Sequence, residues 1–367
     1  MIRSRARAIA LHDNHHRVLS SLFLLTALLA SLLSLLQPRV ARAQEEIPIN
    51  SRRVGERVFV TWACEHFQGT NMAVLTTEQG LVVIDTGLSP TTVRRQRALV
   101  EQELGRDDFR YLINTHMHND HAFANEVFPE ATVVACGAGT AALQQEIDRI
   151  QELIERLTGS REQYAAWAAE TSPDSLEGQM AREGVAAFAV GIADLEAGIT
   201  PCFPSLTFTG HHTLDLGDMT LELYAFPGLH SDSDILILVP EERLLFTGDV
   251  FWGGQLPLLR EPMIAEFPRL MATWDRVLST CPDLELVIPG HSDVPMTVDQ
   301  FTAMHAYLTR LWSDVSSARQ ADLSIIRFMT QNDFRTRYPE VADWQYLMGD
   351  WNFHQHNLSI LWQAVGR

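Results

Sequence analysis

The sequence predicts an α/β fold that carries a helical insert and a helical C-terminal extension. Three observations predict it. From residue 56 to 136, short β-branched apolar runs alternate with helical signals, the pattern of strands joined by helices. Between about 138 and 200 the apolar period becomes that of a helix. Strand patterns then return over 206–291, and from about 297 the chain again reads as helix.

Taken in order, VFVTWA (58–63) and MAVLTT (72–77) read as strands flanking the loop Cys64–Gly69. LVVIDTG (81–87) is a β-rich run ending in an acid and a glycine. Ser89-Pro90 opens a helix, with serine as cap and proline in the first turn. YLINTH (111–116) and ATVVAC (131–136) are buried strands. In the insert, Leu143, Ile147, Ile150, Ile154 and Leu157 form one apolar helix face, and further helices are expected near 163–169 and 176–196. LTFTG (206–210), HHTLDLG (211–217) and MTLELYAF (219–226) are strands. DILILVP (234–240) and RLLFTGD (243–249) form a hairpin about Glu241-Glu242, and LELVIPGH (284–291) is the last strand. No internal repeat or low-complexity linker interrupts this, so residues 44–295 read as one domain and 296–367 as its helical extension.

Residues 1–43 read as an address. Four arginines up to Arg17 precede an uncharged apolar run over 18–36, and Ala41-Arg42-Ala43 gives a small-x-small cleavage site. The expectation is an exported protein, periplasmic or secreted, cut after Ala43, with no stable membrane association once cut. An uncleaved membrane anchor is the alternative, because the run is 19 residues long.

Charge excludes several mechanisms. The 28 basic residues are all arginine, against 46 acids, for a net charge of −18. Without lysine there is no Schiff-base lysine, no Walker-A lysine and no Ser-x-x-Lys nucleophile. A nucleic-acid partner lacks the clustered positive charge it needs. Four cysteines, Cys64, Cys136, Cys202 and Cys281, allow three full disulfide pairings in an oxidising compartment. No Cys-x-x-Cys occurs, and Cys136 reads as a buried thiol.

The chemistry concentrates in Thr115-His116-Met117-His118-Asn119-Asp120-His121. His116 and His118 are two apart, so an extended chain turns both to one side, while Asp120 and His121 can serve a second centre. Imidazole and carboxylate suit zinc, and also iron or manganese. Three further strand ends supply His230, Asp249 and His291, each near a glycine where the backbone can turn sharply.

These residues resemble, in order, the five motifs of the metallo-β-lactamase-fold hydrolase superfamily: Val82-Val83-Ile84-Asp85-Thr86-Gly87, the His-x-His-x-Asp-His box, an isolated His, a Gly-Asp and a Pro-Gly-His. The resemblance spans roughly 55–295. It implies a four-layer αβ/βα sandwich with two zinc ions between the upper edges of two sheets. It implies that His116, His118 and His230 bind the first metal, that Asp120, His121 and His291 bind the second, and that Asp249 bridges them. Asp85 corresponds to the acid that hydrogen-bonds behind the box. The implied reaction is hydrolysis of an amide, ester, lactone or thioester in a small-molecule substrate by a hydroxide shared between the metals, with Asp120 steadying nucleophile and leaving group.

The sequence departs from the best-known zinc β-lactamase subclass. Asp249 stands where that subclass has cysteine, and Trp252 stands where it has the lysine that grips the antibiotic's carboxylate. Lactonase relatives have tyrosine there, so Trp252 is a candidate substrate contact through its indole N–H. His66 and Phe67 are candidate lid residues on the loop that overhangs the metals in relatives, and the insert is a second candidate wall. Three alternatives stay open: a β-lactamase proper, a one-iron persulfide dioxygenase-like enzyme, and a non-catalytic metal-binding periplasmic accessory protein.

Overall fold

Side-chain alternation builds two sheets that face one another. The computed structural model describes residues 47–365 except 68, 258, 260–266, 292–294, 332, 345–346 and 349–350. The proposed signal segment lies outside the described residues. The first sheet holds β1 (Ile49–Val54), β2 (Val58–Ala63), β3 (Met72–Thr77), β4 (Gly80–Ile84), β5 (Phe109–Ile113), β6 (Thr132–Cys136) and β7 (Leu206–Phe208), side by side in chain order. Its first four strands pair antiparallel, and β4 to β7 run parallel. Parallel neighbours need long crossovers. These are α1 (Pro90–Leu104), the short turn α2 (Asn119–Ala122), and the insert of α3 (Gly139–Asp148), α4 (Ile150–Glu170) and α5 (Leu176–Ala197).

The second sheet runs β13-β12-β11-β10-β9-β8, from β8 (His211–Asp215), β9 (Thr220–Ala225), β10 (Ile235–Val239), β11 (Leu244–Gly248), β12 (Leu286–Pro289) and β13 (Met296–Thr297). Period-two alternation sends Val82, Ile84, Ile113, Leu223, Ile237 and Phe246 into the space between the sheets. Val83 and Leu112 point outward under Val93 and Val100 of α1. Leu236, Leu238 and Leu245 point outward on the other side, under α6 (Phe267–Thr280) and α7 (Val298–Gln320). The result is four layers, helix, sheet, sheet, helix. The C-terminal α8 (Ile325–Gln331), α9 (Phe334–Arg337) and α10 (Phe353–Ala364) join the last layer through Phe328, Phe334, Leu358 and Trp362.

The structure corrects several element assignments. β1 was not expected, nor was the small pair β14 (Leu347–Met348) and β15 (Trp351–Asn352) in the otherwise helical tail. β5 stops at Ile113 rather than at His116, because the Thr115 N–H donates to Asp85 Oδ1 (2.7 Å) and not to a strand. The helix expected across 143–157 breaks at Arg149 (φ −107°, ψ 14°). Its second half then runs without interruption through 163–169 as α4. Ser89 caps α1 as expected, its hydroxyl accepting from the Thr92 N–H at 3.1 Å. The disulfide pairings do not form: all four thiols are free, and Cys64, Cys136 and Cys281 are buried. Among the described residues no helix is long and apolar enough to cross a membrane.

Candidate metal centre

Four loops at one end of the paired sheets bring six imidazole and carboxylate groups, with Asp249 as a seventh, to one point. His116 and His118 lie in the extended segment after β5. Asp120 and His121 lie on the single turn α2, so they project from a chain that has already changed direction. His230 follows β9, Asp249 follows β11 and His291 follows β12. Their donor atoms form three groups: His116, His118 and His230; His116, His121 and Asp249; and Asp120, His121 and His291. The atoms of each group lie within 4.8 Å of one another.

The separations suit cations. His118 Nδ1 lies 3.0 Å from both His116 Nε2 and His230 Nε2. His291 Nε2 lies 3.3 Å from His121 Nε2 and from Asp120 Oδ2, and 3.5 Å from Asp249 Oδ2. Donors held about 2.0–2.1 Å from a tetrahedral ion stand about 3.3–3.4 Å apart. Ring nitrogens aimed at each other at this distance repel through their lone pairs unless a proton or cation stands between them. Asp249 Oδ1 is buried without a hydrogen-bond partner among the described residues. A buried carboxylate oxygen left so is costly, and a metal ion satisfies it. The donor set therefore fits a pair of divalent ions.

The surroundings fix which nitrogens face inward. Asp85, at φ 56°, accepts from the Thr115 N–H and, through Oδ2, from the Thr115 hydroxyl at 2.6 Å, and it faces His121 Nδ1 at 3.0 Å. The proton of His121 therefore sits on Nδ1 and leaves Nε2 free to ligate. Having donated to Asp85, the Thr115 hydroxyl accepts from His116 Nδ1 (3.2 Å), which frees His116 Nε2 in the same way. The His121 carbonyl is held by Thr86 and Asn114, and Thr70 Oγ1 donates to the Asp120 carbonyl at 2.6 Å.

Two glycines make room for the cluster, one for Thr115 behind it and one for Asp249 within it. At Gly248, φ is +51° and a Cβ would lie 2.3 Å from Thr115 Oγ1. Gly290 is not in a left-handed conformation, so the expected sharp turn is not its role. A Cβ there would lie 2.2 Å from Asp249 Oδ1, and its absence lets the carboxylate through.

Protonation follows from burial set against charge. Burial lowers His116 well below its ordinary value, and the neighbouring histidines add to this. Burial also lowers His118. For His121 and His291 burial is outweighed by Asp249 and Asp120, and both are raised. Burial would raise Asp120 and Asp249, yet the surrounding histidines hold both below the usual carboxylate range.

Of the candidate substrate residues, the structure brings some to the centre and not others. Phe67 lines a cavity of about 500 Å³ that opens on His118, Asp120 and His291. Trp252 is 38% exposed, its ring centroid 5.6 Å from that of His291. His66 does not line that cavity. Its N–H donates to Glu183 Oε2 (2.7 Å) and its ring faces Gln179 (2.9 Å), so α5 of the insert draws it away from the cavity.

Sequence reasoning missed Asp234, which accepts from the backbone N–H of His230 (2.8 Å) and from the Ser231 N–H and hydroxyl. Burial pushes its carboxyl up to about 7 against those hydrogen bonds. The run Ser231-Asp232-Ser233-Asp234, rich in turn-capping side chains, was the available signal.

Comparison with known proteins gives a consistent picture. The chain is 30% identical over 119 residues to a metallo-beta-lactamase type 2 from Bacteroides fragilis, a stretch covering 32% of this chain and 47% of that relative. The chain thus spans about half the length of that relative. The stereoselective inverting sec-alkylsulfatase Pisa1 from a Pseudomonas species superposes with a TM-score of 0.59 at 16% identity, over 86% of this chain and 50% of that one. A metallo-beta-lactamase from Pontibacter korlensis gives a TM-score of 0.45 at 16% identity, over 71% of this chain and 99% of that one. The family model of the metallo-beta-lactamase superfamily matches residues 67–291, from Phe67 to the last of the clustered histidines, and the chain belongs to that superfamily.

Proposed function

We propose that this chain is a hydrolase that holds two zinc ions and cleaves an amide, ester, lactone or thioester bond in a small molecule. His116, His118 and His230 hold one ion, Asp120, His121 and His291 hold the other, and Asp249 lies between them. The observation that carries this reading is that two complete donor groups share one neighbourhood around a buried carboxylate oxygen with no hydrogen bond. Zinc there supplies Lewis acidity, which makes a water nucleophilic near neutral pH and polarises the scissile carbonyl.

The chain's own residues do the rest. Asp85 and Thr115 fix the tautomers of His121 and His116, so Nε2 faces the centre in both. The Asp120 side chain is 40% exposed while that of Asp249 is 5% exposed. Asp120 therefore reaches the cavity, where its carboxylate can orient the attacking water and later the leaving group. Trp252, beside His291, borders the substrate, and a Trp252→Phe variant should show weaker substrate binding.

The test pairs metal analysis with a substrate panel on the purified chain. The panel contains a β-lactam, an acyl lactone, a thioester, and phosphate and sulfate esters, the last prompted by the alkylsulfatase likeness in fold. About two zinc per chain, with turnover lost in Asp120→Ala while circular dichroism is unchanged, supports the proposal. About one iron per chain, or no turnover of any panel member, refutes it. Export rests on residues 1–43 alone, and a periplasmic or secreted product whose first residue is Gln44 would support it.

A further inference from the structure

The cavity beside the donor cluster is lined by two arginines that nothing in the described structure neutralises. Arg149 stands at the break between α3 and α4, and Arg156 stands seven residues later on α4. Arg149 is the residue that precedes α4 and Arg156 lies nearly two turns into it, and both line the cavity. Neither side chain makes a hydrogen bond or ion pair with any described residue. The chain carries a large excess of acid, and partners are near in sequence. Glu152 precedes Arg156 by four, the favoured spacing for an ion pair on a helix, and no pair forms. Glu146 precedes Arg149 by one turn and also lines the cavity, yet its carboxylate accepts from the Asn119 side chain (2.6 Å) and backbone (3.3 Å) instead.

Phe67, Leu88, Leu157 and Phe188 give the same cavity apolar surface, beside polar groups such as Ser89, Thr92 and Gln96. The bond between Glu146 and Asn119 ties the α3 end of this wall to the residue next to Asp120, so the arginine-bearing face begins at the metal centre. We infer that Arg149 and Arg156 form an anion subsite. The substrate then carries a carboxylate or another oxyanion, set off by an apolar body from the bond that is cleaved. A guanidinium can grip such a group through two parallel hydrogen bonds, and no lysine exists to do it. This inference rests on the hydrolase reading for the reaction, but the binding subsite itself does not require turnover.

The experiment has a kinetic arm and a binding arm, both on the zinc-loaded full chain. The kinetic arm compares mono-4-nitrophenyl adipate, which is anionic, with 4-nitrophenyl hexanoate, which is neutral. The anionic ester should have the higher kcat/KM by about tenfold or more, through KM, and Arg149→Gln/Arg156→Gln should abolish that preference while leaving the neutral ester within about twofold. The binding arm titrates hexanoate, hexanesulfonate and hexanol by calorimetry. The two anions should bind about tenfold or more tightly than the alcohol in the native chain, and the double variant should lose that margin. Hexanesulfonate binding equal to hexanoate identifies a general oxyanion site, and hexanoate alone identifies a carboxylate site. If neither ester turns over but the anion margin exists and is lost in the double variant, the subsite stands, and the hydrolase reading fails only when the substrate panel is also not turned over. If anion affinity is unchanged by the double substitution, the subsite is refuted whatever the turnover. Both arginines are exposed, so the substitutions leave folding intact, which circular dichroism checks.

Discussion

Gly290→Ala is the sharpest probe of the candidate centre, because it adds one methyl group and removes no ligand. The new Cβ would stand 2.2 Å from Asp249 Oδ1, 2.8 Å from His121 Cε1 and 3.1 Å from the Gly248 carbonyl carbon. Real Cβ contacts essentially never fall below 3.0 Å, so Asp249 must retreat by about 0.8 Å. A carboxylate bond to zinc of about 2.0–2.2 Å does not survive that displacement. Overpacking of this kind costs about 1–3 kcal/mol, and a shift near 1 Å among reacting groups costs about a hundredfold in rate. The assay is zinc per chain after dialysis against buffered metal, with thermal melting and kcat/KM on the best panel substrate. The expected variant is folded, holds less than half the native zinc and has lost about a hundredfold in kcat/KM. Gly159→Ala is the matched control. It lies inside α4 with nothing within 4 Å of its built Cβ, so it should keep full zinc and gain up to about 1 kcal/mol of stability. Native zinc content and activity in Gly290→Ala would falsify the close approach of Asp249 on which the whole cluster depends.

Further predictions concern the groups behind the ligands. Asp85→Asn keeps a residue tolerant of positive φ but weakens the acceptor facing His121 Nδ1, so zinc affinity should fall about 10–100-fold in competition with a chelator. Asp234→Ala leaves the buried N–H of His230 and Ser231 without their acceptor, and should cost about 1–3 kcal/mol in urea melts together with weaker zinc binding. Glu183→Ala releases the N–H groups of Glu65, His66 and Phe67, and hydrogen exchange at these three amides should accelerate while exchange in β2 does not. His354 is buried and its imidazole is pushed down by that burial to about 4, from 6.5. A depressed folded value means its stability contribution is complete above about pH 6.5 and is lost as pH falls towards 4, for roughly 3 kcal/mol in all. His354→Gln, which keeps a polar partner for the Tyr307 hydroxyl, should flatten that limb of the melting curve, and an unchanged acid limb would remove the argument.

What the sequence made legible, and what it hid, divides by the range of the interactions involved. The strands were legible because alternation is local: Val82 and Ile84 enter one core and Val83 the other, and that pattern is written in consecutive letters. The seven clustered residues were legible because metal chemistry restricts the residue types, and because each stands just past a strand or on the turn that follows one. β1 escaped notice because its centre, Ser51-Arg52-Arg53, is exposed and polar. The break at Arg149 escaped because the apolar spacing of Leu143 to Leu157 runs through it with the same period on both sides. The setting of His66 was hidden because it is decided by Glu183, more than a hundred residues away, and no local pattern announces that carboxylate.

The same distinction bears on the anchor that a zinc β-lactamase would take from a lysine three residues beyond Asp249. At that place this chain has Trp252, which packs near His291 and offers no positive charge. A reading confined to the strand ends finds no cation to replace the missing one. The fold supplies cations from elsewhere, since the insert turns Arg149 and Arg156 into the cavity next to Asp120. The insert between β6 and β7 packs its apolar side on Met117, Phe123 and Ala135, and both apolar residues (Leu157, Phe188) and the two arginines of the insert line the cavity. The seven clustered side chains stand at the strand ends of two sheets, and a metal site built from them would tolerate shifts of only tenths of an ångström. The two arginines proposed to choose the substrate sit on the helical insert, which packs on Met117, Phe123 and Ala135 and shares the cavity. Substrate choice in this chain is therefore better sought in residues 139–197 than among the strand ends that carry the histidine and carboxylate cluster.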